Sequence, residues 1–227
     1  MSEVVKRLRW LAGGMPARAL VPSLAASYRH TGDVRRAVDL PVVAGPGSRL
    51  IGKPTSTIEL GGTLFLGYGP PDNGGSPALG QAFVRVGAGS RFQTGGWVVV
   101  REDADIRVAP NASLAIGDAV YINERVRIDV HDSITIGAGC ALSWDVLVMD
   151  TDYHHLAIGG EERPVRTPIV IGDNVWIGTR SVVTKGVTIG TGAVIAACSV
   201  VTRDIPSRCL AAGVPARVIH EDVEWWP

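Results

Sequence analysis

The chain has 227 residues, with 22 Lys and Arg against 22 Asp and Glu, so its formal net charge is zero. A zero charge argues against bulk nucleic-acid binding, which favours a basic excess. The 28 glycines and 14 prolines predict a turn-rich protein. Three cysteines without a CxxC pair are typical of free thiols, and no apolar run is long enough to span a membrane. We therefore expect a cytoplasmic protein.

The first 57 residues carry no sixfold repeat, and they resemble short helices broken by Gly and Pro. Up to residue 36 they contain seven Lys or Arg against Glu3 and Asp33. One interpretation is a helical cap over the end of the structure that follows. The other is peripheral contact with an anionic membrane surface.

Aliphatic residues recur every six positions near the C-terminus, at Ile171, Ile177, Val183, Ile189, Ile195 and Val201. A helix would give a spacing near 3.6 and a half-buried strand a spacing of two. A hexapeptide period is that of a parallel β-helix, in which three units close one coil of eighteen residues. Small residues between the aliphatic ones complete the core pattern, and we expect Cys140 and Cys198 among them.

The same repeat begins near residue 58, leaves the coil at about residues 67–85, and slips by two where Ile136 follows Ile134. Residues 104–110 fit it poorly. We predict an all-β protein in three parts: an N-terminal, partly helical segment over residues 1–57, a parallel β-helix over residues 58–206, and a C-terminal tail over residues 207–227.

The repeat stops over residues 150–168, "DTDYHHLAIGGEERPVRTP". Such an interruption predicts a loop projecting from the scaffold, where chemistry is often found. His154 and His155 lie at its start, and an imidazole there can act as a general base. Four carboxylates could orient it, namely Asp150, Asp152, Glu161 and Glu162.

The motifs "IGDNVWIG", "GVTIG", "SVVTRDIP" and "AAGVPARVI" resemble the hexapeptide-repeat acyltransferases, most closely the sugar O-acetyltransferases that include galactoside and maltose acetyltransferases. The resemblance is dense from about Ile134 to Ile219. It implies a left-handed parallel β-helix, a homotrimer, and acetyl-CoA bound between neighbouring subunits. Against the family pattern Asp-x-Asp-Phe-His-Pro, "DTDYHH" places His154 on the catalytic position and His155 where proline would stand.

The resemblance also implies where the two substrates bind. The cofactor-binding residues expected from it are Trp176, Gly178, Thr179, Lys185, Ala196, Ala197, Arg203 and Arg217. Of these, Gly178, Thr179, Ala196 and Ala197 would contact the pantetheine arm, and the three cations would meet the phosphates; Lys185 stands where relatives commonly have proline. The expected acceptor-binding residues are Asn123, Asp129 and Asp152, although Asn123 and Asp129 suit β-helix corners equally well. No metal is expected.

The expected activity is transfer of an acetyl group from acetyl-CoA to a hydroxyl of a sugar or glycoconjugate. An amine of an amino sugar or a xenobiotic alcohol is an alternative acceptor. A non-catalytic scaffold is a further alternative, although a projecting loop is not typical of one. A trimeric zinc carbonic anhydrase would need three histidines that neighbouring subunits share around a metal, with two of them five residues apart. His154 and His155 are adjacent, and no histidine stands at that interval from them.

Overall fold

A computed structural model of the protein describes residues 42–67 and 80–226. These residues form three parallel sheets that wind around one apolar column. The left-handed parallel β-helix expected from the sequence is confirmed. The predicted helical cap falls on residues 1–41, which lie outside the described residues.

The strands occupy the three sheets, A, B and C, in rotation along the chain. Sheet A contains β1 (Val42–Ala44), β4 (Leu64–Leu66), β7 (Val98–Val100), β10 (Val120–Ile122), β13 (Ala141–Leu142), β18 (Trp176–Ile177), β21 (Val194–Ile195), β23 (Leu210–Gly213) and β24 (Ala216–His220). Sheet B contains β2 (Arg49–Gly52), β5 (Phe83–Val86), β8 (Asp105–Val108), β11 (Arg127–Val130), β14 (Leu147–Met149), β19 (Val182–Val183) and β22 (Val200–Val201). Sheet C contains β3 (Thr57–Leu60), β6 (Arg91–Thr94), β9 (Ser113–Ile116), β12 (Ser133–Ile136), β17 (Ile169–Ile171) and β20 (Thr188–Ile189).

The core is a column of aliphatic side chains that repeats from coil to coil. Ile177 of β18 lies in register with Leu142 of β13 on one side and with Ile195 of β21 on the other. All three side chains are fully buried. Since alternate strand residues point to opposite faces, Trp176 and Val170 are directed outward and are partly exposed.

The length of a coil changes along the β-helix. In sheet A, Val98 pairs with Val120, twenty-two residues later, and Tyr121 pairs with Ala141, twenty residues later. Only after the projecting loop does the spacing become eighteen, as between Trp176 and Val194. The longer coils have strands of three or four residues. Within such a strand, residues that point into the core alternate with residues that point outward. This alternation explains both the slip at Ile136 and the poor fit of residues 104–110.

The β-helix differs from the predicted boundaries at both ends. Its first described strand is β1, which pairs with β4, so coil structure includes residues that were assigned to the N-terminal segment. At the other end β23 continues sheet A beyond residue 206, and β24 folds back on it in antiparallel fashion. The predicted excursion at residues 67–85 falls largely on residues 68–79, outside the described part; the coil has resumed by the buried Ala82.

The cysteine prediction is correct for one residue and wrong for the other. Cys140 is buried, whereas Cys198 is exposed because it occupies a corner and the adjacent Ser199 takes the inward position. Within the described residues no helix suited to crossing a bilayer is found. The same residues contain no cluster of three or more metal-ligating side chains.

Candidate active site

The interruption between Met149 and Ile169 is a β-hairpin that projects from the corner between sheets B and C, here called the B–C corner. Its strands are β15 (Leu156–Ile158) and β16 (Glu161–Arg163), which pair in antiparallel fashion. They are joined by Gly159 and Gly160, whose φ angles of 62° and 85° suit glycine. A bridge between Thr151 and Arg166 closes the base of the hairpin. His154 therefore lies between this closed base and the projecting strands.

Asp150 fixes the base of the hairpin to the coil that precedes it. Its buried carboxylate accepts hydrogen bonds from the backbone N–H groups of His131, at 2.7 Å, and Asp132, at 2.8 Å. Burial raises the pKa of Asp150, and these two N–H groups oppose the rise. Both oxygens are engaged by the backbone, so Asp150 acts as an anchor.

Asp152 and Lys185 tie the hairpin to the coil that follows it. Lys185 Nζ lies 2.7 Å from Asp152 Oδ2 and also donates to the carbonyl oxygen of Pro164. The sequence placed Asp152 with the acceptor and Lys185 with the cofactor phosphates. The structure brings the two together, and these contacts of Lys185 are with the hairpin.

The two adjacent histidines have different surroundings. His155 Nδ1 lies 2.6 Å from Glu162 Oε1 across the hairpin, and the His155 side chain is 80% exposed. His154 is also exposed, and within residues 42–67 and 80–226 its ring has no hydrogen bond or ion pair. Of the four carboxylates that could orient an imidazole in this loop, Glu162 therefore orients His155.

Tyr153 and His131 form a pair that the sequence did not indicate. His131 Nε2 lies 3.2 Å from the Tyr153 hydroxyl oxygen, and the rings meet edge to face with centroids 4.7 Å apart. Partial burial raises the pKa of the Tyr153 phenol, and the nearby Asp129 carboxylate adds to that rise. His131 and Tyr153 lie at the B–C corner on successive coils. Their proximity depends on the number of residues in a coil, which the sequence alone did not give.

A groove with a volume of about 510 Å³ runs along the outer face of sheet B from this pair. We call it the sheet B groove. Its polar lining consists of Lys53, Arg85, Arg107, Asp129, His131 and Tyr153.

The predicted pantetheine-binding residues form one column on the corner between sheets A and B, here called the A–B corner. The N–H of Gly178 donates to Ile195 O at 2.8 Å, and the N–H of Cys198 donates to Thr179 O at 2.8 Å. A Cβ on Gly178 would lie 2.6 Å from the backbone nitrogen of Ala197. The coils thus stack so closely at this corner that position 178 has no room for a side chain.

Trp176 lies beside this column on sheet A. The residue is 41% exposed, and its Nε1–H donates to Ser143 Oγ at 3.0 Å. Trp225 from the C-terminal segment packs near it, with ring centroids 6.0 Å apart. Trp176 and Trp225 therefore place two aromatic rings beside this column.

The predicted phosphate-binding cations do not share that corner. Lys185 and Arg203 follow β19 and β22 at the B–C corner, and Arg217 lies on β24 of sheet A. Arg203 and Arg217 are exposed. Within one chain, Lys185 and Arg203 therefore lie at a different corner of the β-helix from the predicted arm-binding column.

The remaining predicted acceptor residues also lie apart. Asn123 is at the A–B corner, where its Nδ2 donates to Leu142 O at 2.9 Å, a contact between two coils. Asp129 is on the outer face of β11, only 4% exposed, with Arg127 Nη2 3.4 Å from its Oδ2. Only Asp129 lines the sheet B groove.

Comparison with known proteins supports the same family as the motifs. Residues 168–203 match the family model of the bacterial transferase hexapeptide (six repeats). Galactoside O-acetyltransferase of Escherichia coli K12 is 42% identical over 113 residues, which are 48% of this chain and 55% of that protein. The chain thus spans about half the length of this relative.

Two further proteins extend the comparison. WcaF of Escherichia coli K12, assigned as a colanic acid biosynthesis acetyltransferase, is 33% identical over 128 residues, covering 56% of this chain and 68% of WcaF. The crystal structure of the polySia-specific acetyltransferase NeuO shares the fold, with a TM-score of 0.53 and 23% identity over 82% of this chain and 88% of that one. The chain belongs to the hexapeptide-repeat acyltransferase family.

Proposed function

We propose that the protein transfers an acetyl group from acetyl-CoA to a hydroxyl of a sugar or glycoconjugate, with His154 as the general base. The observation that carries the proposal is the position of His154, exposed at the base of a hairpin that Asp150 and Lys185 hold to the coils. The matched relatives are sugar-related acetyltransferases by name, which supports the acceptor class.

The proposed reaction uses a neutral imidazole at His154. The imidazole takes the proton of the acceptor hydroxyl as its oxygen attacks the thioester carbonyl. The new C–O bond forms, the C–S bond breaks, and the proton passes to the departing CoA thiolate. General-base assistance of this kind contributes about 10²- to 10⁴-fold. The exposed imidazole of His154 has no hydrogen bond or ion pair with the described residues, which leaves it free to meet the acceptor.

The A–B corner suits the pantetheine arm of acetyl-CoA. Gly178, Ala196 and Ala197 leave a surface without long side chains, beside the exposed Trp176. Arg203 and Arg217 are exposed cations for the phosphates. Lys185 is engaged by Asp152, so we assign it to holding the hairpin in place. When bound, acetyl-CoA supplies the activated acetyl group.

A homotrimer would join the two edges into one site. His154 and the column of Gly178 lie on different corners of the β-helix, so we propose that the trimer joins the A–B corner of one copy to the B–C corner of the next. Two large aromatic residues are exposed at or next to the A–B corner: Trp144 is 48% exposed and Trp176 is 41% exposed. Such aromatic side chains are enriched at interfaces between proteins.

The test is a transfer assay with labelled acetyl-CoA and a panel of neutral sugars, acidic sugars, amino sugars and non-sugar alcohols, on a protein whose mass is first measured by sedimentation equilibrium. We expect three chains in the particle and an acetyl ester on a sugar hydroxyl. An acetamide as the only product would replace the hydroxyl acceptor by an amine. Absence of transfer to every acceptor would contradict the proposed activity.

A further inference from the structure

The sheet B groove carries positive charge on two adjacent rungs of the β-helix, those of Arg85 and Arg107. The register places Ile51, Arg85, Arg107 and Asp129 side by side on β2, β5, β8 and β11. Neighbouring strands are about 4.8 Å apart, so this row extends over roughly 15 Å. Lys53 adds a further cation at the B–C edge of the groove. The row is therefore longer than one sugar ring.

The two arginines are held in place by one carboxylate. Asp105 accepts a hydrogen bond from Arg107 Nε at 2.9 Å, and its other oxygen pairs with Arg85 Nη1. The Arg85 guanidinium also lies over the Phe83 ring, 4.8 Å from its centroid. A guanidinium has five N–H donors, so these contacts leave donors on both arginines for a further anion. Two cations sharing one anion keep a net positive charge.

The other acidic residue of the groove is already partnered. Asp129 is buried and lies beside Arg127, whose Nη2 is 3.4 Å from Asp129 Oδ2. Arg127 outside the row and Arg107 within it therefore share this negative charge, while Lys53 and Arg85 add further positive charge to the groove. The exposed part of the groove favours an anionic occupant.

One end of the groove is lined by the residue that precedes His154 in the chain. Tyr153 and His131 form this end, and Tyr153 is followed directly by His154. The Tyr153 hydroxyl and the His131 ring add polar atoms suited to sugar hydroxyl groups. A ligand along the row of arginines would therefore present its end to the base of the hairpin.

We propose that the sheet B groove is an acceptor subsite for an acidic glycan, a sugar chain that bears carboxylate or phosphate groups. Its anionic group pairs with Arg85 and Arg107, while a hydroxyl on a neighbouring sugar reaches His154. This assignment rests on the proposed acetyl transfer for its role, but the binding itself is independent of turnover. Charge-assisted pairs of this kind make the affinity fall with rising salt.

The test is isothermal titration of the full-length protein with trigalacturonate, glucose 1-phosphate and maltotriose, at low and high salt. The variant is Arg85→Gln with Arg107→Gln. The matched control is Arg91→Gln with Arg208→Gln, which removes two exposed arginines outside the groove. Thermal unfolding of both variants establishes that each is folded.

We expect wild type to bind at least one acidic probe on the order of tenfold more tightly than maltotriose, through two charge-assisted contacts. The groove variant should lose this preference and the control should keep it. The two acidic probes distinguish the carboxylate from the phosphate as the recognised group. Equal affinity for all three probes, or an equal loss in the control, would overturn the assignment.

Acetyl transfer measured in parallel separates this inference from the proposed function. Transfer to neutral sugars, without any Arg85- and Arg107-dependent preference for acidic ones, would overturn the groove assignment and leave the proposed function standing. Arginine-dependent binding of an acidic probe, without transfer to any acceptor, would support the subsite and contradict the proposed function.

Discussion

Lys185 Nζ lies 2.7 Å from Asp152 Oδ2, and this ion pair connects a regular coil of the β-helix to the hairpin that carries His154. Lys185 was expected to bind a cofactor phosphate. From its contacts with Asp152 and with the Pro164 carbonyl, we propose that it positions the hairpin. Loss of a hairpin contact should lower kcat, whereas loss of a phosphate contact should raise KM for acetyl-CoA, so kinetics can separate the two roles.

Lys185→Ala should lower kcat for acetyl transfer and leave KM for acetyl-CoA within about twofold. An ion pair at the surface contributes only about 0–1 kcal/mol to stability, so the melting temperature should change little. Asp152→Ala should have the same effect, and the double variant should add no further loss. Steady-state kinetics of the three variants give the answer; a large rise in KM for acetyl-CoA in Lys185→Ala alone would restore the phosphate role.

Cys198 should report where the cofactor binds. Among the three cysteines Cys198 alone is exposed, and it is adjacent to Ala197 on the A–B corner. Burial raises the pKa of Cys140 to about 11, so that thiol stays protonated and unreactive near neutral pH. We expect a thiol-specific disulfide reagent at pH 8 to label one cysteine rapidly, and Cys198→Ser to abolish this reaction.

Bound CoA should protect Cys198 from that reagent. Desulfo-CoA, which has no thiol of its own, is the suitable probe, and labelling should slow at least about fivefold at saturation. A CoA fragment without the pantetheine arm serves as the control and should protect less. Unchanged labelling in the presence of saturating desulfo-CoA would place the arm away from Ala196 and Ala197.

Ile177→Ala should destabilise the β-helix strongly. The side chain is fully buried between Leu142 and Ile195, so its truncation leaves a cavity within the column. Such changes cost about 2–5 kcal/mol. Val170→Ala is the control, because Val170 is 43% exposed and its change should cost less than about 0.5 kcal/mol. Urea unfolding of the two variants tests this, and equal losses would contradict the stacked column.

Asp150→Asn should destabilise the base of the hairpin although it changes only one group. Each carboxylate oxygen accepts a backbone N–H, and the amide nitrogen of Asn would face one of these donors. An unsatisfied buried donor costs about 1–3 kcal/mol. Asp132→Asn is a milder change at a more accessible neighbour. Hydrogen exchange at the His131 and Asp132 amides should speed up only in Asp150→Asn, and protection unchanged there would disprove the anchor.

The six-residue spacing predicted the coils well only where each coil has eighteen residues. That condition holds for the two coils between Ile169 and Val201, as in the pairing of Trp176 with Val194. Upstream, Val98 pairs with Val120, and the alternation within longer strands breaks the sixfold pattern. The fold class was still predicted correctly, because the inward residues of the longer coils are also mostly aliphatic.

The sheet B groove could not be predicted for the same reason. With eighteen residues to a coil, Arg85 would lie beside Asp103; with the twenty-two observed, it lies beside Arg107. Likewise the His131–Tyr153 pair joins two coils whose relative register depends on the coil length. The projecting loop, by contrast, was visible because polar residues replace the aliphatic repeat over a long interval.

The most direct test compares His154→Ala with His155→Ala in the acetyl transfer assay. Loss of the general base should reduce kcat about a thousandfold in His154→Ala, within the range such catalysis supplies, and should leave acetyl-CoA affinity nearly unchanged. His155→Ala should stay within a few-fold of wild type, because His155 pairs with Glu162 on the hairpin. Full activity in His154→Ala together with a thousandfold loss in His155→Ala would contradict the account.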